Sequence, residues 1–413
     1  MATSSAPPKP VVGILSLGEM GTGIAQLLMA NDYKVATCTA GRSKYTLKRI
    51  QKSGITAYDT DVELIAAVDI LLSIVPPRDA TATAIRVLEA SRNQEAIKSW
   101  TDRKIDSPDA KLVFVDCNAV STRTTRSIHA LFAPKEDQEP RSPSPATPSP
   151  SEPLQSPSAV PRRFSLSRVL SFRSAAAESA PAPPPPIPVA FLDGGIIGPP
   201  PKPKPQPSSS EGGSSSSTIP EWILPSLVIS GPHVHTHLPS PIRKTLNMTV
   251  LDHRIGTAST LKSCFASMTK GMSALATISF ATAQQANVLP HLTSHLEKYS
   301  PKLLEHARGS LPGMPPKAYR WVEEMRQIGS TFATEGGLEC GEDVFKGVAE
   351  LYRFVAEDTV LGDERVESRK RGRTAEDVAG AIGEAVQKKR KGNGAEGGNG
   401  EEELRLAWRG SWS

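Results

Sequence analysis

The sequence predicts an α/β domain built on a parallel sheet, followed by an all-helical domain. Short apolar runs of strand type alternate with helical segments between residues 9 and 255, as expected for parallel strands covered by helices. A glycine-rich turn follows the first of these runs. From Gly256 onward, small and apolar residues recur at helical spacing instead. We therefore expect one domain over residues 9–255 and a second over residues 256–362.

The first apolar run, Val11–Leu15, leads through a glycine turn into a helical stretch. A turn in this position presents free backbone amides and the positive end of the helix to a pyrophosphate. The G-x-G-x-x-G pattern is incomplete, because Ser16 stands at the first glycine position. The sequence favours a Rossmann-type dinucleotide site over a glycine turn that binds no nucleotide. Its cofactor-binding residues would be Leu17, Gly18, Glu19, Met20 and Gly21.

The end of the second strand distinguishes between two cofactors. NAD-binding domains usually place Asp or Glu there to bind the ribose hydroxyls, and residues 33–57 contain neither. Arg42, Ser43 and Lys44 stand there instead, and such a cationic, hydroxylated cluster suits a 2′-phosphate. We therefore expect NADP in preference to NAD. The alternative is a solvated basic loop.

Further strands are predicted at 55–58, 70–75, 112–116, 189–198, 227–231 and 248–251, with helices at 61–68 and 122–132. In an open parallel sheet, ligands lie outside the carboxyl ends of the strands. Val75 and Pro76 follow one of these strands and should therefore line the cofactor site. Asn118 and Ser121 follow the next strand, and we expect them to orient the substrate or the nicotinamide amide.

Two low-complexity segments, 134–188 and 199–218, interrupt the α/β domain. They are rich in Pro and Ser and cannot bury enough apolar area to offset the entropy of ordering, so we expect both to be disordered excursions from one sheet. The first contains Ser-Pro pairs at Ser142, Ser144 and Ser149 and the arginine-serine segment Arg162–Arg173. These are candidate kinase sites, and an unmodified linker is the alternative.

Helices are expected at 258–285, 292–304, 316–332 and 343–358, and residues 363–413 are expected to form a disordered polar tail. The tail carries two basic clusters, Arg369–Arg373 and Lys388–Lys391. Such clusters are either solvated charged residues of a disordered tail or a nuclear localisation signal.

Composition narrows the class of protein further. The chain has 413 residues and a net charge of +5, which is too small to argue for a nucleic-acid partner. Its four cysteines are widely spaced and lack metal-ligand spacing, as expected for reduced thiols in an intracellular protein. No apolar run reaches the roughly 18 residues that a membrane span needs. These features predict a cytoplasmic protein with no metal site and no membrane segment.

Taken in order, the motifs resemble those of the 6-phosphogluconate dehydrogenase and 3-hydroxyisobutyrate dehydrogenase superfamily, the β-hydroxyacid dehydrogenases. The likeness is strongest to the branch whose C-terminal helical domain is described only as phosphogluconate dehydrogenase-like. It covers roughly residues 11–132, 189–198 and 227–363. The matching segments are 16–21, Gly41–Ser43, Ser73–Pro77, Asp116–Ser121 and Asp193–Pro199.

The resemblance implies a catalytic lysine in a G-x-G-x-x-x-K pattern, which reads here as residues 256–262 with Ala258 for the second glycine. Lys262 would then exchange the proton of the substrate hydroxyl, which requires a pKa lowered by burial or by a nearby cation. By itself the residue could equally be a lysine whose stem reaches solvent. The superfamily's Asn four positions later is replaced by Ala266, and Lys270 is a candidate for a different anion contact.

The substrate-binding glycine pattern is also altered, so that Gly198 is its remaining candidate. The resemblance implies an NADP-dependent oxidoreductase that transfers a hydride between a small hydroxyacid and the nicotinamide, or a related imine or ketone reductase. It also implies a homodimer formed through the helical domain. The alternative is a catalytically silent NADP-binding regulatory or scaffold protein, which the loss of Asn at Ala266 and the long insertion favour.

Overall fold

The computed structural model describes residues 8–133, 184–205, 221–364 and 369–394. Within these ranges the chain forms an eight-stranded sheet and a large helical region. The strands of the sheet are β1 (Val12–Leu15), β2 (Val35–Cys38), β3 (Thr56–Tyr58), β4 (Ile70–Ser73), β5 (Leu112–Asp116), β6 (Val189–Ile197), β9 (Ser226–Ser230) and β10 (Met248–Val250). A separate two-stranded ladder pairs β7 (Lys202–Pro203) with β8 (Trp222–Ile223).

The sheet has the order β10-β9-β6-β5-β4-β1-β2-β3. All neighbouring strands are parallel except β6 and β9, which are antiparallel. The predicted parallel α/β domain is therefore confirmed, with one antiparallel pair added. Because β1 lies between β2 and β4, the strand order reverses there, and a crevice opens at the carboxyl ends of β1 and β4.

The core is built on both faces of the sheet, because successive strand residues point to opposite sides. Val12 and Ile14 of β1 belong to one buried cluster, whereas Leu15 belongs to the cluster on the other face. In β5, Val115 and Phe114 divide in the same way. A strand that is buried on both faces has a continuous apolar sequence, and this pattern made the strands predictable.

The helices that cover the sheet follow the strands in the expected alternation. They are α1 (Glu19–Ala30), α2 (Lys44–Ser53), α3 (Asp61–Ala67), α4 (Ala80–Ser91), α5 (Gln94–Arg103), α6 (Thr122–Phe132), α7 (Val234–His237) and α8 (Ser240–Thr245). A 3₁₀ turn at Pro77–Asp79 precedes α4. No helix in the described part of the chain has the length and apolar character needed to cross a membrane.

The C-terminal region is helical, as predicted, but its helices divide differently. They are α9 (Thr257–Ala266), α10 (Met272–Gln285), α11 (Leu289–Tyr299), α12 (Pro301–Gly313), α13 (Pro315–Gly336), α14 (Cys340–Glu357) and α15 (Ala375–Gly394). A π-helical turn, Ser267–Gly271, interrupts the helix predicted over 258–285. The helix predicted over 292–304 is two helices, since Pro301 begins a new one.

The predicted disordered tail is wrong for residues 375–394, which form α15. Val378, Ala379 and Ile382 of this helix are buried in the helical core. Their spacing is helical, but the surrounding charges and glycines obscured it. The first basic cluster is likewise engaged, because Arg371 forms ion pairs with Asp377 and Glu384. The second cluster, 388–391, is exposed on the last turns of α15.

The second predicted loop, 199–218, is also ordered at its start. Lys202 and Pro203 pair with β8, and Pro201 packs on α1 so closely that a Cβ at Gly23 would lie 2.8 Å from its carbonyl oxygen. Residues 206–220 and 134–183 lie outside the described residues, and the candidate kinase sites fall in the second of these ranges.

Candidate functional site

The predicted phosphate turn lies at the carboxyl end of β1, in the crevice beside β4. Gly18 is the N-cap of α1 and no side chain caps this helix, so its first-turn amides are oriented for an external acceptor. A Cβ at Gly21 would overlap the carbonyl oxygen of Ser16, whereas one at Gly18 would meet nothing within 4 Å. Gly21 is therefore required for tight packing, and open space lies over Gly18.

Neighbouring side chains fix the backbone of this turn. The carbonyl oxygen of Leu17 accepts hydrogen bonds from Arg49 Nη1 at 2.6 Å and from Thr22 Oγ1 at 3.4 Å. The Leu17 side chain itself is buried in the core, so only its backbone faces the turn. Glu19 and Met20 form the first turn of α1. The geometry fits a pyrophosphate bound through backbone amides.

Arg42 lies beyond the end of β2, where Gly41, with a φ of +67°, turns the chain toward α2. Among the described residues, its Nε and Nη2 are buried without a hydrogen-bond partner. Burial, together with the charge of Arg86, lowers the pKa of Arg42 below its ordinary value. Unsatisfied buried N–H groups are costly, and a phosphate would satisfy them. The buried Nε and Nη2 of Arg42 are therefore available to an anionic group.

Ser43, predicted to share this phosphate contact, is the N-cap of α2. Its Oγ accepts a hydrogen bond from the Thr46 backbone N–H at 3.3 Å. One carboxylate also lies nearby, because the Thr39 hydroxyl, just after β2, donates to Asp59 at 3.1 Å. Sequence reasoning missed Asp59, since it follows the neighbouring strand β3. A helix N-terminus next to an arginine still favours an anion at this point.

Asn118 is buried, and its side-chain amide is fully engaged within the protein. Its Oδ1 accepts from the Val75 N–H at 2.7 Å, and its Nδ2 donates to Ser73 Oγ at 2.9 Å and to Asp116 Oδ1. The residue thus ties the end of β4 to the end of β5. These bonds fix the Val75–Pro76 turn beside the crevice. The contact of Asn118 with substrate or nicotinamide stays a prediction.

Ser121 joins the sheet to the helical region. Its Oγ accepts from the Thr124 N–H at 3.2 Å at the start of α6, and its own N–H donates to Gln327 Oε1 of α13 at 2.9 Å. Gln327 also accepts from the Thr124 hydroxyl at 2.9 Å. Ser121 therefore lies where α6 and α13 meet. Gln327 had no local signal in the sequence, because it follows Ser121 by 206 residues.

Asp193 positions the start of α9, the helix that carries Lys262. Its buried carboxylate accepts from the N–H groups of Gly256 at 2.9 Å and Ser259 at 3.1 Å, and from the hydroxyls of Ser259 at 2.6 Å and Ser230 at 3.0 Å. It acts as an N-cap supplied from a distant strand. Burial raises the pKa of Asp193, whereas these donors oppose that rise. The matched motifs around Asp193 and Gly256 thus meet at one hydrogen-bond network.

Lys262 extends from α9 over the end of β6. Its Nζ donates to the carbonyl oxygen of Ile196 at 2.5 Å. The helix can approach the strand closely because Gly195 has no side chain. A Cβ there would lie 3.0 Å from Lys262 Cβ. Burial, and after it the charge of Lys270, lowers the pKa of Lys262 to about 8, whereas the charge of Glu324 opposes this change.

Lys270 lies in the π-helical turn and forms an ion pair with Glu324 of α13. Its Nζ also lies 5.2 Å from the centroid of the Trp321 ring. Burial alone would raise the pKa of Glu324, but Lys270 and Lys262 hold it below its ordinary value. Lys262 and Lys270 therefore both act on Glu324, a carboxylate that sequence reasoning did not identify. The predicted contact of Lys270 with a substrate anion stays a prediction.

Gly198 directly follows β6 with a φ of +116°, a conformation that favours glycine. A Cβ there would lie 3.3 Å from Pro225 Cα. The turn itself thus explains why glycine stands at this position. Within the described residues, no group of three or more His, Cys, Asp or Glu side chains could hold a metal ion.

Two family models match this arrangement of domains. Residues 11–133 match the NAD binding domain of 6-phosphogluconate dehydrogenase, and residues 283–355 match a domain of unknown function, DUF1932. The first match covers the N-terminal part of the sheet with the phosphate turn, and the second covers part of the helical region. The predicted resemblance is therefore confirmed, and residues 11–133 are similar to an NAD binding domain. No curated protein sequence is significantly similar to this chain.

Similar solved structures include three proteins of low sequence identity. The 3-hydroxyisobutyrate dehydrogenase of Mycobacterium tuberculosis, solved with L-serine, is 12% identical with a TM-score of 0.50, covering 91% of this chain and 98% of its own. A conserved protein of unknown function, described as similar to 3-hydroxyacid dehydrogenases, is 19% identical with a TM-score of 0.46, covering 83% and 98%. An imine reductase from Myxococcus stipitatus, in complex with NADP+, is 14% identical with a TM-score of 0.40, covering 84% and 93%.

Proposed function

We propose that this protein is an NADP-dependent oxidoreductase that transfers a hydride between a small hydroxyacid and the nicotinamide. The observation that carries the proposal is the position of Lys262 at the end of β6, with its ammonium on the Ile196 carbonyl and its pKa lowered to about 8 by burial. A lysine with that proton affinity exchanges protons near neutral pH. We assign residues 9–255 to cofactor binding and the helices from residue 256 to the substrate side.

Bound NADP would supply the hydride acceptor. Leu17 to Gly21 would hold its pyrophosphate through backbone amides, and Arg42 would bind the 2′-phosphate with its unsatisfied Nε and Nη2. Val75 and Pro76, fixed by Asn118, would form the wall of the site beside β4. NAD, which lacks the 2′-phosphate, would leave these arginine groups without a partner.

Lys262 would accept the substrate hydroxyl proton as a neutral amine and return it as an ammonium. Because its pKa is about 8, the neutral base dominates above that pH and the ammonium acid below it. Oxidation of the hydroxyl is therefore favoured at higher pH and reduction at lower pH. We assign Ser121 and Gly198 to shaping the substrate side of the crevice.

Charge favours an acidic substrate. Lys270 and Arg320 are the charged groups whose fields lower the pKa of Lys262, and Glu324 is the carboxylate that opposes them. Lys262, Lys270 and Arg320 outnumber the single buried carboxylate of Glu324, so the site carries a net positive charge. An anionic group of the substrate would reduce this net charge.

The proposal is tested by following NADPH absorbance with a panel of small hydroxyacids and the matching keto acids. We expect turnover by the wild type with at least one acid and a loss of about 10²–10⁴-fold in Lys262→Ala, the usual contribution of a general acid or base. Lys298→Ala, an exposed lysine of α11, is the matched control. Equal turnover by wild type and Lys262→Ala would contradict the role of this lysine.

A second candidate function is a catalytically silent NADP-binding regulator. Two observations favour it: Ala266 is buried in the helical core where the superfamily usually has Asn, and Asn118 is committed to internal hydrogen bonds. NADPH binding with no turnover across the panel would select this function.

We also propose that the protein is a homodimer formed through α9 and α10. A stripe of large apolar side chains along these helices is between 40% and 64% exposed; it comprises Leu261, Phe265, Met268, Leu275 and Ile278. Continuous exposed apolar surface of this kind usually marks an interface. The cytoplasm remains the expected compartment. Of the two basic clusters, 388–391 is exposed throughout, as a nuclear localisation signal would require, whereas Arg369 and Arg371 of the first cluster are partly buried.

A further inference from the structure

The π-helical turn changes which side chains share a face of the α9–α10 helix. In a continuous α-helix, residues eight positions apart differ by about 80° in direction, whereas residues seven apart differ by about 20°. A π turn absorbs one extra residue without advancing the rotation. Lys270, within this turn, is therefore brought close to the face that carries Lys262. Such turns occur frequently at functional sites.

Side chains from two other helices fix the turn. The Tyr352 hydroxyl of α14 donates to the carbonyl oxygen of Lys270 at 2.6 Å, which satisfies a backbone acceptor at the irregular turn. Trp321 of α13 packs edge-on against Tyr352, with ring centroids 5.1 Å apart, and lies beneath the Lys270 ammonium. Glu324, 8% exposed, completes the enclosure by pairing with that ammonium.

We propose that Glu324 is a positioning residue of the active site, because its carboxylate holds the Lys270 ammonium as a fixed positive neighbour of Lys262. Lys270 then acts electrostatically on the acid–base lysine and is not the substrate's own anion contact. This inference rests on the role of Lys262 in the proposed function. Arg320, exposed on α13 and coupled to Lys262, is the cation left to contact a substrate anion.

The charged groups that face Lys262 act in opposite directions. Lys270 from the π turn and Arg320 from α13 disfavour its ammonium form, whereas Glu324 from α13 favours it. From β6, the Ile196 carbonyl accepts its hydrogen bond. Removal of Lys270 would leave the charge of Glu324 without its ion-pair partner beside Lys262. Lys262 would then hold its proton more tightly. Removal of the Glu324 charge would have the reverse effect.

The proton affinity of Lys262 can be measured without turnover, by competitive acetylation of the full chain over a pH series and mass spectrometry of the Lys262 peptide. The wild type should have a labelling midpoint near pH 8. Lys270→Met should slow labelling of Lys262 below the midpoint by about tenfold, which is one pH unit in the midpoint. Glu324→Gln should move the midpoint downward, and Lys270→Arg should leave it near the wild-type value.

Glu335→Gln is the matched control, since it breaks a different ion pair of α13, with Arg126. An unchanged midpoint in this variant supports the inference, and a shift like that of Glu324→Gln would overturn it by showing a general effect on the helix. An unchanged or lowered midpoint in Lys270→Met would also overturn it. The double variant Lys270→Met/Glu324→Gln avoids an unpaired buried charge, and its midpoint should lie between those of the single variants. Labelling tests this inference separately from the proposed function, because it measures the proton affinity of Lys262 whether or not NADPH is oxidised.

Discussion

The buried carboxylate Asp116 gives the sharpest stability prediction. Its Oδ2 has no hydrogen-bond partner among the described residues, and it lies beside Asp193 in the register of β5 and β6. Burial and the charge of Asp193 together raise the pKa of Asp116 from 3.8 to about 7, against the hydrogen bonds from Asn118. We predict that Asp116→Asn, which removes the charge and keeps the shape, stabilises the fold at alkaline pH.

The magnitude follows from linkage between protonation and folding. A pKa raised from 3.8 to about 7 means that the folded state binds the proton more tightly than the unfolded state. The stabilisation that protonated Asp116 contributes is therefore fully present below about pH 4. It is lost as the pH rises toward 7, and the contribution is constant at higher pH. At about 1.36 kcal/mol per pH unit, the loss is on the order of 4 kcal/mol. Weaker hydrogen bonds from Asn118 to the neutral amide reduce the net gain at alkaline pH to roughly 2–3 kcal/mol.

The assay is urea unfolding followed by circular dichroism, at several pH values between about 5 and 8. The difference in unfolding free energy between Asp116→Asn and the wild type should grow in favour of the variant across this range. Asp109→Asn, an exposed carboxylate before β5, should show a difference that does not depend on pH. A difference for Asp116→Asn that stays constant with pH would refute the reasoning.

Three further predictions concern packing and assembly. Asp193→Ala should lower the free energy of unfolding by roughly 3–5 kcal/mol in the same assay, because four donors lose a buried acceptor; a loss below about 1 kcal/mol would contradict its role as the cap of α9. Gly21→Ala should abolish NADPH binding in fluorescence titrations, since its Cβ would overlap the Ser16 carbonyl, whereas Gly18→Ala should be tolerated sterically. Met268→Glu should convert the dimer to a monomer in analytical ultracentrifugation, with exposed Leu303→Glu on α12 as the control; a wild-type monomer would contradict the proposed dimer.

Local patterns were sufficient for the sheet and for the phosphate turn. Strands buried on two faces leave continuous apolar runs, and the constraint at Gly21 is carried by the residue itself. The helix α15 was missed because its short apolar pattern, centred on Val378, lies within a charged and glycine-rich stretch. The division near Pro301 was missed because apolar spacing continues across it.

The candidate site could be predicted only in part, because its side chains are paired over long sequence separations. Glu324 reaches Lys270 across 54 residues, and Asp193 reaches Ser259 across 66. No local sequence pattern predicts partners at such separations. Asn118 shows the related difficulty, since a polar residue after a strand can face the crevice or its neighbours, and here it bonds its neighbours. Lys262 was found through the order of motifs, and the structure adds the surroundings that set its proton affinity.

The most direct test of the account is a fluorescence titration of the full chain with NADPH and NADH, for the wild type, Arg42→Ala and the exposed control Lys48→Ala. Loss of a charge-assisted contact to the 2′-phosphate is worth about 1.5–3 kcal/mol, so Arg42→Ala should weaken NADPH binding roughly 10- to 150-fold. Its NADH affinity and both affinities of Lys48→Ala should stay near those of the wild type. Equal binding of the two cofactors by the wild type, or binding of neither, would contradict the NADP-dependent function proposed for this chain.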